Sequence, residues 1–289
     1  MICTYGISQP GAYHIKKGIV CQDSHLIALC DADMAIAAVA DGLGSAEHSD
    51  TASKIAVTTS VDYCRKSIAD DANAAQIPEI IRAAFTAALK AIEEESTQKD
   101  RLIELYDTTL TLAVFIRDVL YYGHSGDSGI IALTTQGRYE QVTTQQRDNE
   151  GRVFPLFFRD MWEFTVYDKK VAGVMLATDG MLETFFPFYL RNSPEKIHIT
   201  LAQYFMNPLN FITKKNTDKT VEAEISEFME RIPDEQVNDD KTVVVLVNTS
   251  IKTKKQPDDY YKEPDWAELK KKYDEQWKRA AYPSLFDKH

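Results

Sequence analysis

Three short runs of apolar residues each adjoin an aspartate in a turn, and this pattern limits what the chain can fold into. The runs and their turns are Met34–Ala40 with Asp41-Gly42, Val171–Ala177 with Asp179-Gly180, and Thr242–Val247 with the preceding Asp239-Asp240. Uninterrupted apolar runs of this length are typical of strands that are buried on both faces. The pattern therefore predicts core strands whose ends carry carboxylates.

A fourth aspartate, Asp127, lies in the turn Gly126-Asp127-Ser128 between two further strand patterns. Carboxylates at strand ends can meet at one edge of a sheet, where rigid backbone holds them. Oxygen ligands without His or Cys suit Mg²⁺ or Mn²⁺. A two-metal site of this kind binds a phosphoryl group and lowers the pKa of a bound water. Each Asp-Gly pair taken alone is more often an ordinary turn, so the hypothesis depends on four aspartates adjoining core strands.

Strand patterns and helix patterns are clustered along the chain instead of alternating. Helical spacing marks residues 52–63 and 77–95, whereas residues 106–143 contain a series of short strands separated by turns. This order favours an α+β layered domain over a doubly wound parallel sheet. Residues 145–170 are polar and aromatic without a clear period, which predicts an irregular insertion.

Composition excludes several classes of protein. The 289 residues fit one large domain or two small ones. With 33 basic and 44 acidic residues the net charge is −11, which disfavours a nucleic-acid binder. No run approaches the ~18 apolar residues of a membrane helix, and the first residues lack the pattern of a secretory signal. The four cysteines have no zinc-ligand spacing. We therefore expect a cytoplasmic protein with neither a nucleic-acid nor a membrane partner.

The end of the chain, residues 251–289, differs from the body, residues 1–250. Residues 252–263 are predicted to form a linker, and Pro264 to open an amphipathic helix. The apolar stripe of this helix is Trp266, Leu269, Tyr273 and Trp277. The stripe either docks on the body as a capping helix or binds a partner, and we favour docking because two exposed tryptophans would be a liability.

Five short motifs occur in the order found in one enzyme family. They are V-A-D-G-L-G at 39–44, T-T-L at 108–110, G-H-S-G-D-S at 123–128, A-T-D-G-M at 177–181 and N-D-D-K-T-V-V-V at 238–245. In this order they resemble the metal-dependent protein phosphatases of the 2C type, in their bacterial form. The resemblance spans about residues 5–248 and leaves the end of the chain outside.

The resemblance implies a fold and its boundaries. The fold is a four-layer α-β-β-α sandwich, in which two antiparallel sheets are flanked by helices and the metals lie at one edge between the sheets. Residues 1–250 would be the phosphatase domain, with a flap at about 145–170. Residues 251–289 would be the linker and the C-terminal amphipathic helix.

The resemblance also implies metal ligands. Asp41 matches the carboxylate that bridges two metals, and Gly42 the glycine whose carbonyl binds the second of them. Asp179 and Asp239 match the ligands of the first metal. Asp127 matches an aspartate that helps to hold a third, weaker metal in bacterial members.

Other positions around the metals follow the family less closely. Asp23 matches a carboxylate that orients metal-bound waters, Gln22 stands where members often have Glu, and Asp240 flanks the site. The arginine that grips substrate phosphate in many members is missing from this chain. We expect His14 or Lys17 to take that role, although either could be a solvated surface residue.

The resemblance implies an Mg²⁺- or Mn²⁺-dependent hydrolase of phosphoserine and phosphothreonine in proteins. The nucleophile would be a hydroxide held by two cations, with a third cation nearby, and the partner a cognate serine/threonine kinase. Two alternatives stay open: a catalytically silent module that binds a partner, and a phosphatase of a small phosphorylated metabolite. An open site at the metal edge would favour a protein substrate, and a closed pocket would favour a metabolite.

Overall fold

Two five-stranded antiparallel sheets are the centre of the described residues, which in the computed structural model are 1–68, 73–191, 193, 196–207 and 218–282. The strands are β1 (Ile2–Gln9), β2 (Ser24–Leu29), β3 (Met34–Ala40), β4 (Leu110–Ile116), β5 (Val119–Ser125), β6 (Gly129–Thr134), β7 (Tyr139–Gln141), β8 (Glu163–Val166), β9 (Val171–Ala177) and β10 (Lys241–Asn248). The first sheet has the order β1-β10-β9-β6-β7 and the second the order β2-β3-β4-β5-β8. The first and last strands are therefore neighbours.

Helices cover the outer faces of both sheets. The helices of the described residues are α1 (Ala12–Lys17), α2 (Ser49–Ser67), α3 (Ile77–Gln98), α4 (Asp179–Phe185), α5 (Ile199–Met206), α6 (Asp218–Glu230) and α7 (Trp266–Ala281). Those that contribute to the outer cores are α2 to α6. Within the described ranges, no helix has both the length and the apolar character needed to cross a membrane.

The inner core lies between the two sheets. It forms because successive side chains along each strand point to opposite faces of the sheet. In β3, Ala35, Ala37 and Val39 point inward and meet Val244 and Leu246 of β10 in one cluster. The other apolar residues of both strands face the helices. Both strands are buried along their whole length, as their continuous apolar runs predict.

Two outer cores complete the four layers. The second sheet packs its outer face against α2 and α3, with Phe85 and Ile81 fully buried there. The first sheet packs its outer face against α4, α5 and α6, with Phe185 and Phe205 fully buried. The predicted α+β fold, an α-β-β-α sandwich of two antiparallel sheets, is confirmed.

The insertion, residues 145–170, is more regular than its sequence predicts. It contains a 3₁₀ helix, Arg159–Met161, and the strand β8, which pairs with β5 at the edge of the second sheet. Three of the four residues of β8 are exposed or nearly so, and only Phe164 packs inward. An edge strand with so little buried surface has no apolar period, which is why the sequence pattern misses it.

The end of the chain lies against the body through aromatic residues. The Tyr273 ring of α7 packs edge-on against Phe188 at 4.2 Å between centroids, and the Trp266 ring lies 4.8 Å from that of His198. Trp277 of the predicted stripe is 53% exposed instead and pairs with Tyr282. The predicted segment 251–289 includes residues 283–289, which lie outside the described residues.

Phe85 should be a main source of stability for the second sheet. Its ring contacts Trp162 and Phe164 of the insertion edge-on, at 5.6 and 5.0 Å between centroids. Phe85→Ala removes these contacts and leaves a cavity, so we expect the free energy of unfolding in urea to fall by about 3–5 kcal/mol. Phe158→Ala, the same change at a ring that is 52% exposed, should cost less than about 1 kcal/mol. Equal losses in the two variants would contradict this packing.

Candidate metal centre

Asp41 is held at the end of β3 by the start of β4. The Asp41 N–H donates to Thr109 Oγ1 at 2.9 Å, and the Thr109 N–H donates back to the Asp41 carbonyl at 2.8 Å. The next residue, Gly42, is packed so closely that a Cβ would lie 2.7 Å from the carbonyl oxygens of both Gln22 and Ser49. Only glycine fits there, so the turn that presents Asp41 is fixed by the backbone.

Asp179 is presented in a similar way at the end of β9. It is the first residue of α4, and Thr178 precedes the helix in an extended conformation. A Cβ on Gly180 would lie 2.1 Å from the carbonyl oxygen of Asp240. This close approach brings the turn after β9 against the turn before β10.

The carboxylates of Asp41, Asp127 and Asp179 meet, and we call these three residues the carboxylate cluster. One oxygen from each lies within 4.8 Å of the others. Asp127 comes from the turn between β5 and β6 and is only 1% exposed. The cluster thus joins three turns. One follows β3 of the second sheet, one follows β9 of the first sheet, and one connects β5 of the second sheet to β6 of the first. A second group with the same spacing consists of Asp239, Asp240 and His14, and Asp239 is its exposed member.

Asp240 links the N-terminal segment to the last strand. Its Oδ1 accepts from the Gly11 N–H at 2.7 Å and lies 2.7 Å from His14 Nδ1. Its Oδ2 accepts from the Gln22 N–H at 2.6 Å. Both carboxylate oxygens of Asp240 have hydrogen-bond partners, and the residue is only 3% exposed. Asp240 therefore holds the N-terminal segment beside Asp239.

Asp23 and Gln22 lie at the back of the site. Asp23 is buried and accepts from Thr178 Oγ1 at 2.7 Å, so it contacts the turn that carries Asp179. Gln22 is also buried, and its carbonyl accepts from Ser53 Oγ at 2.6 Å. Burial raises the pKa of Asp23 well above its usual value, and the charges of Asp240 and Asp179 add to this.

The structure separates the two predicted phosphate-binding residues. His14 is 6% exposed and lies beside Asp239 and Asp240. Lys17 is exposed at the end of α1, with its Nζ 6.0 Å from the centre of the Tyr13 ring. In the part of the chain that the structure describes, no ion pair joins Lys17 to the site carboxylates.

Arg147 lies in the site, although no sequence motif predicts it there. Its Nη2 is 2.6 Å from Asp127 Oδ2 and 2.9 Å from Asp179 Oδ2. It is the third residue of the polar insertion, where an arginine usually means a solvated surface. The sequence offers no signal for it, because it lies 20 residues after Asp127, in an insertion without a clear period.

Crowding of carboxylates disfavours their charged forms. Burial raises the pKa of Asp41 well above its usual value, and the charges of Asp23, Asp179, Asp127 and Asp239 add to this. For Asp127 burial is again the largest cause, and the pKa rises to about 7 although Arg147 opposes the shift. A bound cation would relieve this repulsion.

The donor atoms fit a hard divalent cation. The cluster offers only carboxylate oxygens, which Mg²⁺ and Mn²⁺ prefer. Oδ1 of Asp127 is buried, and among the described residues no hydrogen-bond donor reaches it. A buried acceptor of this kind normally has a partner, so the residues suit a metal at this position.

Comparisons with known proteins identify the family and the fold. The family model of protein phosphatase 2C matches residues 10–230. Among solved structures, the serine/threonine phosphatase Stp1 from Staphylococcus aureus is 12% identical, with 86% of this chain and 95% of that chain covered at a TM-score of 0.59. The Mycobacterium tuberculosis serine/threonine phosphatase PstP/Ppp is 20% identical, with 85% and 98% covered at 0.57. PppA of Pseudomonas aeruginosa is 15% identical, with 85% and 97% covered at 0.57. No curated protein matches the chain.

The family match covers most of the chain, and the chain belongs to the protein phosphatase 2C family. This is a family of metal-dependent serine/threonine phosphatases. The structural likenesses, all at low identity, show the shared fold.

The metal-free chain should lose stability as the pH rises towards 7. The folded Asp127 carboxyl has a pKa of about 7, against an ordinary value of 3.8. Between these values the folded chain holds a proton that the unfolded chain releases, so raising the pH favours unfolding. Thermal melts in chelator, from about pH 4.5 to 7.5, should show a falling midpoint.

Two comparisons check the assignment to Asp127. Asp127→Asn should make the fall with pH shallower, because the amide does not titrate. Excess Mn²⁺ at about pH 7.5 should raise the wild-type midpoint, since a cation takes the place of the proton. A midpoint that rises with pH in chelator would show that the buried carboxyls are charged in the folded chain.

Proposed function

We propose that this chain is a serine/threonine phosphoprotein phosphatase that uses two divalent cations, Mg²⁺ or Mn²⁺, and a third at Asp127. The observation that carries the proposal is the carboxylate cluster, in which residues from three separate turns meet within 4.8 Å. The aspartates that meet are those in the family's motifs, which agrees with membership of protein phosphatase 2C.

Each residue of the site has a role in this proposal. Asp41 would bridge two cations, with the Gly42 carbonyl on the second and the carboxylates of Asp179 and Asp239 on the first. When bound, the cations polarise the phosphoryl group and lower the pKa of a water that attacks it. Asp23, held by Thr178 Oγ1, would accept a hydrogen bond from water at the back of the site.

His14 is the better candidate for binding substrate phosphate. The Nδ1–H of His14 donates to Asp240, which fixes the ring, so in the imidazolium form the Nε2–H is left to donate to a phosphate oxygen. Gln22 and Asp240 then support the site through the backbone of the N-terminal segment. Lys17 lies at the exposed end of α1 and would contribute only a charge that water and salt screen.

The open edge of the site favours a protein substrate over a small metabolite. Asp239 is exposed, and the side chains of Asp179 and Arg147 are 19% and 33% exposed. A phosphoserine or phosphothreonine on a protein surface could reach carboxylates in this position. A serine/threonine kinase that phosphorylates the same substrate would be the matching partner.

We also propose residues 1–250 as the catalytic domain and the segment from 251 onward as a linker with a capping helix. The family match ends at residue 230, but β10 is an interior strand of the first sheet, between β1 and β9, and begins two residues after Asp239. This position supports a domain that includes β10. The contacts of Trp266 and Tyr273 with the body support a capping role for α7.

Phosphate release tests the proposed activity. We expect turnover of a phosphothreonine peptide and of p-nitrophenyl phosphate with Mn²⁺ or Mg²⁺, and none with chelator. Asp239→Asn removes a charged ligand of the first metal and should lower kcat/KM by at least ~10²-fold. Asp62→Asn changes an aspartate that pairs with Arg65 on α2 and should leave activity unchanged.

The two alternatives give different results in this assay. A higher kcat/KM for the ester than for every peptide would favour a metabolite phosphatase. Binding of Mn²⁺ without turnover of either substrate, in a folded sample, would favour a silent partner-binding module.

His14 and Lys17 can be separated by kinetics. His14→Ala removes the proposed phosphate donor and should raise the KM of the phosphopeptide about tenfold, equivalent to ~1.4 kcal/mol. Lys17→Ala should change KM less than about twofold, because the side chain is exposed and solvent screens its charge. Urea unfolding of both variants controls for the loss of the partner of Asp240. A larger KM effect in Lys17→Ala would reverse the assignment.

A further inference from the structure

A single guanidinium nitrogen joins two carboxylates of the proposed metal centre. Nη2 of Arg147 lies 2.6 Å from Asp127 Oδ2 and 2.9 Å from Asp179 Oδ2. Both aspartates belong to the carboxylate cluster. A divalent cation bound to these two oxygens would need the place that Nη2 occupies, because its own bonds to them are only ~2.0–2.2 Å long.

The backbone beside Arg147 is firmly held, so its position is built into the fold. Gln146 exchanges two hydrogen bonds with Gly126, the neighbour of Asp127: its N–H donates to the Gly126 carbonyl at 2.8 Å, and its Oε1 accepts from the Gly126 N–H at 3.0 Å. The Gln146 side chain also donates to the Met161 carbonyl at 2.8 Å. Arg147 itself forms an isolated β-bridge with Val153.

The guanidinium nevertheless has a way out of the cluster. The Arg147 side chain is 33% exposed, whereas that of Asp127 is 1% exposed. A rotation of the arginine side chain can move the charge into water, but Asp127 stays buried at the end of β5. The charged Asp127 carboxylate is therefore left with two possible partners, the guanidinium or another cation.

We propose that Arg147 is an internal counter-ion, which holds Asp127 and Asp179 until a divalent cation displaces it and so weakens the binding of that cation. This inference rests on the metal centre proposed above and adds a residue that controls its loading. Displacement breaks two ion pairs and moves a positive charge, and both changes oppose cation binding. The same contacts stabilise the metal-free chain by reducing repulsion within the carboxylate cluster.

Arg147→Gln tests the competition, with Mn²⁺ as the probe and binding as the readout. The full chain is stripped with chelator and titrated with Mn²⁺, followed by calorimetry and by the electron paramagnetic resonance signal of free Mn²⁺. We expect the weaker class of sites to bind Mn²⁺ about tenfold more tightly in the variant. Arg152→Gln is the matched control, because Arg152 is 72% exposed and pairs with Asp148 and Glu150 in the same insertion.

Thermal melts distinguish a counter-ion from an ordinary stabilising contact. Arg147→Gln should lower the midpoint in chelator, because the carboxylates lose their positive partner, yet the variant should gain more stability from Mn²⁺ than the wild type does. If Arg147 made only an ordinary stabilising contact, the variant would melt at a lower temperature both in chelator and with Mn²⁺, and its affinity for Mn²⁺ would not increase. In an Asp127→Asn background, Arg147→Gln should change Mn²⁺ affinity much less, since the shared partner is gone.

The outcomes separate this inference from the proposed function. Unchanged or weaker Mn²⁺ binding in Arg147→Gln overturns the counter-ion, even if the wild type is an active phosphatase. Tighter Mn²⁺ binding in the variant supports it, even if neither chain turns over a phosphopeptide. A wild-type chain that binds no Mn²⁺ overturns both proposals.

Discussion

The packing of two sheets on each other is the interaction on which the rest of the structure depends. Each sheet is apolar on both faces, so it is buried between the other sheet and a layer of helices. Strand positions are then fixed to within a fraction of an ångström by close packing. Because β3 and β9 end near the same edge, the aspartates that follow them meet despite the electrostatic repulsion between their carboxylates. Hydrophobic packing thus holds together carboxylates that would otherwise repel each other.

Two aspartates next to each other in the sequence have opposite roles. Asp240 is buried, and its oxygens accept from backbone N–H groups of the N-terminal segment and contact His14. Asp239 is exposed, presents its carboxylate to solvent, and belongs to the second group of possible ligands, with His14 and Asp240. Successive residues before a strand point in different directions, so a single Asp-Asp pair supplies both a support and a candidate metal ligand.

Much of the fold follows from the sequence, because buried strands and amphipathic helices have clear periods. The bounds of β3, β4 and β9 agree with their apolar runs. The edge strand β8 was missed because an edge strand needs few apolar residues. The order of the motifs indicated the aspartates of the site, but not which of them touch. Arg147 could not be predicted, since its contact with Asp127 depends on how the insertion folds back over 20 residues.

The pairing of β1 with β10 has a consequence for synthesis of the protein. The three contacts of Asp240 reach back to residues 11, 14 and 22, more than 200 positions earlier in the chain. The ribosome must release almost the whole domain before these contacts can form. Until then the nascent chain contains Asp41, Asp127 and Asp179 but not the support around Asp239. The site therefore cannot be completed before β10 is synthesised, and a chain cut short before β10 would contain most of the aspartates without a complete metal centre.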